Sequence, residues 1–125
     1  MASKTIQLAN IEPGEFLSWF ATTQAAFKIR MKLYDSRRVY FDSTRQCGDI
    51  HPPMSQGAAY YEGINLALDI EIPQSKEIRA FLNNFALLTP EGAAVGHGFT
   101  CCGEDRDNKD SNDFYLNVMG WKSKG

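Results

Sequence analysis

From Phe27 to Leu33 apolar and basic residues alternate without a break. Phe27, Ile29, Met31 and Leu33 fall on one side of an extended chain, and Lys28, Arg30 and Lys32 on the other. A period of two over this length predicts a half-buried β-strand. Val39-Tyr40-Phe41 is a second short β-type run. With Asp35-Ser36-Arg37 as a three-residue loop, the two runs form a hairpin. Leu33 then faces Val39 and Met31 faces Phe41 on the dry side, while Tyr34 faces Arg38, Lys32 faces Tyr40 and Arg30 faces Asp42 on the wet side. Arg37 is a poor occupant of the left-handed position that such a loop favours.

Elsewhere the pattern is read segment by segment. Thr5 to Ile11 predicts a short strand, stopped by the turn-forming Glu12-Pro13-Gly14. Phe16, Trp19 and Phe20 stand at i, i+3, i+4, which favours a short helix within Glu15–Gln24 over a strand. Gln46 to Gly63, with Cys47, Gly48, Pro52, Pro53 and Gly57, reads as a long loop. Ile64 to Ile72 alternates again, with Ile64, Leu66, Leu68, Ile70 and Ile72 facing in. Ser75 is a natural N-cap, and Ile78, Phe81, Leu82, Phe85 and Leu88 recur at helical spacing, so an amphipathic helix is expected over 75–88, ended by Thr89-Pro90-Glu91-Gly92. Val95 to Cys102 is a glycine-interrupted strand, Gly103 to Asp113 an acidic loop, and Phe114 to Trp121 a last strand. The sum is a β-rich chain, between all-β and α+β: one domain over 1–125, built as a small oligonucleotide/oligosaccharide-binding-type barrel of five or six antiparallel strands with one helix.

Composition narrows the function classes. Hydrophobic residues at 43% and aromatics at 12% belong to an ordered globule. No apolar run is long enough to span a bilayer and the first residues lack the core of a secretion signal, so neither membrane nor export is expected. Three cysteines, two of them adjacent, make a poor disulfide framework; a reducing, cytoplasmic setting fits them better. The formal net charge of −2 hides a separation of charge. Between Phe27 and Gln46 six basic residues (Lys28, Arg30, Lys32, Arg37, Arg38, Arg45) stand against two acids, a local +4. Between Glu104 and Asp113 five acids stand against Arg106 and Lys109, a local −3.

Three chemistries compete for these residues. Lys28, Arg30, Lys32, Tyr34, Arg38 and Tyr40 on the wet face of the hairpin, with Tyr60, Tyr61, Tyr115 and Trp121 as further rings, would neutralise phosphates and stack on unpaired bases; the bland alternative is a charged, solvated edge. Cys47-x-x-x-His51 and His97-x-x-x-Cys101 supply two thiolates and two imidazoles, a set that suits tetrahedral zinc, although the usual two-residue gap between cysteine ligands is absent. Otherwise no cofactor is expected. No recognisable signature surrounds Cys101 or Cys102, and the chain is not expected to be an enzyme.

Leu68-Asp69-Ile70-Glu71-Ile72-Pro73-Gln74-Ser75-Lys76-Glu77-Ile78, a strand ending in Ile-Pro before an amphipathic segment, resembles bacteriophage single-stranded-DNA-binding proteins of the T7 type, as does Gly103-Glu104-Asp105-Arg106-Asp107 followed by Phe114-Tyr115-Leu116-Asn117-Val118. The resemblance implies an oligonucleotide-binding barrel and a part in DNA replication or recombination, with single-stranded nucleic acid as partner. The alternative is a small phage-encoded anti-defence inhibitor, binding a host protein with the acidic 104–113 loop as a nucleic-acid mimic. The sequence leaves oligomeric state open.

Overall fold

A computed structural model describes residues 1–105 and 112–125. Nine strands make up its regular structure: β1 (Ala2–Gln7), β2 (Phe16–Thr23), β3 (Ala25–Tyr34), β4 (Val39–Cys47), β5 (Ser55–Tyr60), β6 (Ala67–Ile72), β7 (Arg79–Leu88), β8 (Ala94–Glu104) and β9 (Phe114–Trp121). They form two antiparallel sheets, a four-stranded one in the order β1-β6-β3-β4 and a five-stranded one in the order β5-β2-β9-β8-β7. The expectation of a β-rich chain holds. The barrel does not, because neither sheet closes on itself, and no helix occurs among the described residues.

Alternation makes the core. In the four-stranded sheet Ile29, Met31 and Leu33 of β3 point inward beside Leu68, Ile70 and Ile72 of β6, each wholly buried. Leu17 and Ala21 of β2, Phe114, Leu116 and Val118 of β9, and Phe99 and Cys101 of β8 answer from the five-stranded sheet, also wholly buried. Two faces of this kind, each dry on one side, bury each other as a sandwich.

The segment expected to be a helix over 75–88 is instead β7, the edge strand beyond β8. Its apolar residues divide between the two sides of the sheet: Ala80, Leu82, Ala86 and Leu88 toward the interior side, Phe81, Phe85 and Leu87 outward. Because the facing sheet has only four strands, β7 overhangs it, and Leu82 and Leu88 remain 49% and 60% exposed. A strand apolar on both sides has no period of two, so its spacing imitates a helix. Phe16, Trp19 and Phe20 lie in β2 for a similar reason: Trp19 points in and Phe16 and Phe20 point out. The expected loop at 46–63 shortens to 48–54, since Ser55–Tyr60 forms β5 on the edge next to β2.

The β3–β4 hairpin forms, but its register is shifted. Leu33 pairs with Phe41 and Met31 with Ser43, and an irregularity at the turn brings Tyr34 opposite Val39. Tyr40 falls out of the ladder and turns inward, 9% exposed. Asp35 drives this arrangement. Its Oδ1 accepts the backbone N–H of Arg37 at 2.7 Å and of Arg38 at 2.9 Å, and its Oδ2 accepts the Gly63 N–H at 3.0 Å and the Tyr40 hydroxyl. Arg37 is therefore spared a left-handed conformation, and the only non-glycine residue described with positive φ is Asn65.

Candidate functional site

The outward face of the four-stranded sheet carries Lys28, Arg30, Lys32 and Tyr34 together, as alternation predicts. Their electrostatics differ from the expectation. Arg30 is clamped between two acids, donating through Nε and Nη2 to both oxygens of Asp42 (2.8 and 2.7 Å) and through Nη1 to Glu71 at 2.7 Å. The bond from Arg30 holds the Asp42 carboxyl below the usual carboxylate range, and the guanidinium is raised in return. Lys32 is flanked in register by Asp42 of β4 and Asp69 of β6. The Tyr34 hydroxyl donates to Asp69 at 2.9 Å, and burial followed by that bond raises its pKa. Three cations thus share their face with three carboxylates of the same protein, and a basic patch is not what the fold presents.

The other proposed contacts scatter. Arg38 pairs with Glu62 at 2.8 Å. Tyr40 is tied to Asp35, and Tyr61, 4% exposed, accepts the Leu66 N–H on its hydroxyl at 2.8 Å. Tyr60 and Trp121 belong to the outer face of the other sheet, where Trp121 donates its indole N–H to Ser18 at 3.0 Å. The zinc set is not assembled either. His51 lies against the Phe20 ring, His97 is 2.9 Å from the buried Glu15 carboxylate, and Cys101 is sealed in the core, its thiol pushed up to about 12 by burial. Among the described residues no three His, Cys, Asp or Glu side chains are placed to share a metal ion.

Polar chemistry gathers instead at the end of the sandwich where β8 leaves and β9 returns. Asp113 accepts the Asp105 N–H on Oδ2 at 3.1 Å and donates its own N–H to the Gly103 carbonyl at 2.9 Å, while its carbonyl accepts from Gln24 at 3.0 Å. Ser75 donates its hydroxyl to the Asp105 carbonyl at 3.0 Å. Glu104, Asp105 and Asp113 are all buried, and Arg79 stands 3.8 Å from Glu104. These three acids are therefore not displayed as a nucleic-acid mimic; Asp107 and Asp110 lie outside the described residues. Beside them opens a cleft of about 230 Å³ lined by Gln24, Ile50, Cys102, Asn112, Phe114 and Tyr115. Arg45 shapes its rim by donating to the carbonyls of Asp49 and Pro52, and Thr22 donates to the carbonyl of Ile50. Two amides, a phenol and the apolar side chain of Ile50 around a space below the usual range of about 300–1,000 Å³ suit a small polar ligand with an apolar side. Of this cleft the sequence displayed only Tyr115, as a candidate ring, and the acidic run beside it; Gln24, Ile50 and Asn112 come from three separate connections and share no local pattern.

No family model matches the sequence, and no curated protein matches it. Solved structures do match. The C-terminal domain of the BC2L-C lectin of Burkholderia cenocepacia superposes with a TM-score of 0.70 at 12% identity, over 94% of this chain and 95% of that one. The chain shares the two-sheet sandwich fold of that domain. The Chromobacterium violaceum lectin CV2L, solved with alpha-methyl-fucoside, matches at a TM-score of 0.64 and 9% identity over 95% of this chain and 96% of its own. The high-affinity mannose-binding lectin of Ralstonia solanacearum matches at 0.64 and 11% over 88% and 91%. This likeness overturns the resemblance to phage single-stranded-DNA-binding proteins. The readings built on it fall as well: DNA binding in replication or recombination, nucleic acid as partner, and a phage inhibitor of host defence. The expectation that the chain is not an enzyme agrees with these neighbours, which are lectins.

Proposed function

We propose that the chain binds carbohydrate as a lectin, with a monosaccharide or terminal sugar of the fucose or mannose class as ligand. What supports the reading is one observation: a lectin-type sandwich matched over nearly the whole length of both chains, without large insertions. The chemistry of the cleft is compatible with it. A sugar offers hydroxyls to amides such as Gln24 and Asn112, and an apolar C–H face to the ring of Tyr115.

Titration calorimetry with alpha-methyl-fucoside and with mannose tests the reading. Saturable heat with at least one sugar is expected, and Asn112→Ala should weaken it by about tenfold, the worth of one or two lost hydrogen bonds. Runs with and without added calcium ask whether the carboxylates at the base of the β8–β9 connection act through a cation, since hard oxygen donors are the groups calcium takes. Absence of heat with both sugars at millimolar concentration, under either condition, would sink the proposal.

A further inference from the structure

The end of the sandwich opposite the cleft carries a second, larger recess. β2 runs from one to the other, and at about 3.4 Å per residue its length separates them by roughly 25 Å. Two connections form the recess: 8–15, which joins β1 to β2, and 61–66, which joins β5 to β6. Backbone bonds tie the two together. The Leu8 N–H donates to the Leu66 carbonyl at 2.9 Å, the Gly14 N–H to the Tyr61 carbonyl at 3.0 Å, and the Tyr61 N–H to the Glu15 carbonyl at 3.0 Å. Asn10 fastens the first connection to β8 by donating its amide to the Gly98 carbonyl at 2.7 Å, and the Glu15 carboxylate meets His97 of the same strand at 2.9 Å. A recess framed in this way exists before anything enters it, which lowers the ordering cost of binding.

Its volume of about 480 Å³ lies within the usual range for ligand pockets of about 300–1,000 Å³. Leu8, Ile11, Pro13, Ile64 and Leu66 give it an aliphatic wall, and no charged side chain among the described residues lines it. Gln7 and Asn65, both exposed, stand at its rim with side-chain amides unpaired among the described residues. Tyr61 decides what the recess asks for. It is 4% exposed, and its hydroxyl oxygen accepts the Leu66 N–H at 2.8 Å. The hydroxyl proton is left over, and no described residue accepts it. A buried donor without an acceptor is costly. Water can supply the acceptor only by wetting an aliphatic wall; a molecule that joins an acceptor to an alkyl chain satisfies both.

We infer that this recess is a second binding site, separate from the cleft beside Asn112, for a neutral acyl compound. The carbonyl oxygen of the ligand accepts the Tyr61 proton, its alkyl part covers the aliphatic wall, and its remaining polar end meets the Gln7 and Asn65 amides. Three features choose this class. The uncharged lining disfavours a carboxylate or an ammonium, either of which would give up its hydration with no opposite charge to meet it. The unspent group on Tyr61 is a donor, so the ligand must bring an acceptor. At about 30 Å³ for each water-sized group, the space holds roughly ten to fifteen non-hydrogen atoms. None of these features depends on the reading of the cleft as a sugar site.

Methyl NMR of the full chain titrated with N-hexylacetamide gives the test. Saturable shifts are expected at the methyls of Ile11, Ile64 and Leu66, half complete at about 1 mM, with Ile50 of the cleft unmoved. Octanoate and hexylammonium should bind at least about tenfold more weakly. Tyr61→Phe keeps the ring, removes the proton and should weaken N-hexylacetamide by about tenfold. That change also takes the acceptor from the Leu66 N–H, so Ile64→Arg serves as an independent variant. Ile64 is 56% exposed and bonds to Ser36 through backbone atoms only, so the fold stays intact while a charge set at the recess abolishes the shifts. Absence of any saturable shift overturns the inference. So do shifts confined to Ile50, octanoate binding equal to that of N-hexylacetamide, or an affinity that both variants leave unchanged.

Discussion

Asp35 shows how much one buried carboxylate can organise. At 7% exposure it joins the β3–β4 turn to Tyr40 of β4 and to Gly63 beyond β5. Burial pushes its pKa up, but the Tyr40 hydroxyl and the amides of Arg37, Gly63 and Arg38 outweigh that and hold it below the ordinary carboxylate value. A carboxyl depressed in the folded state stabilises the fold above its unfolded pKa of about 3.9 and loses that contribution as pH falls through the lower folded value. Asp35→Asn should therefore cost about 1–3 kcal/mol at neutral pH, and its acid unfolding below pH of about 4 should be shallower than wild type's. Urea midpoints across pH measure both. The cysteines give a second contrast. The Asp49 N–H and then Arg45 lower the pKa of the half-buried Cys47, whereas burial raises that of Cys101. At pH of about 8, iodoacetamide should label Cys47 first and reach Cys101 only after unfolding, as peptide mass spectrometry would record.

At the level of elements, legibility followed wetness. β3 and β6 each have one dry and one wet face, and the period of two shows in their residues; in β9 the wholly buried Phe114, Leu116 and Val118 alternate with the half-buried Tyr115 and Asn117, and for Phe114 to Trp121 even the boundaries agree. β7 and β2 lack a wet, polar side, so Phe81-Leu82-Phe85 and Phe16-Trp19-Phe20 carry helical spacing into strands. The hairpin's basic side was read correctly as a side. Its neutralisation was not, because Asp69 and Glu71 reach it from a strand some forty residues away and only pairing brings them there. The cleft was still less visible, being assembled from chain connections. Glycines mark how tightly the elements meet. A Cβ on Gly103 would stand 2.2 Å from the Arg79 carbonyl and 2.3 Å from the buried Phe114 ring, while one on Gly98 would meet only the half-exposed Phe85 ring at 2.1 Å. Gly103→Ala should thus cost about 2–3 kcal/mol and Gly98→Ala clearly less, because Phe85 can swing into solvent and backbone cannot. The order of their denaturation midpoints decides it.

For the whole molecule, two sheets of unequal width have a simple consequence: the wider sheet leaves part of itself uncovered. The facing sheet stops short of β7, and the outer face of the five-stranded sheet carries aromatics that the chain's own residues do not enclose. The far-ultraviolet circular dichroism spectrum should be that of β-sheet with no helical double minimum, a direct check on β7 as a strand. A 30-mer of unstructured DNA at low salt should leave tryptophan fluorescence unquenched, since Arg30 and Lys32 answer their own carboxylates.

The cleft beside Asn112 is bordered by the β2–β3, β4–β5 and β8–β9 connections, with Gln24, Ile50 and Asn112 supplied by one each. Side chains on connections can be exchanged without disturbing the ladders that hold the two sheets together. A change of ligand preference therefore asks for substitutions at these three positions alone, with the sandwich left as it stands.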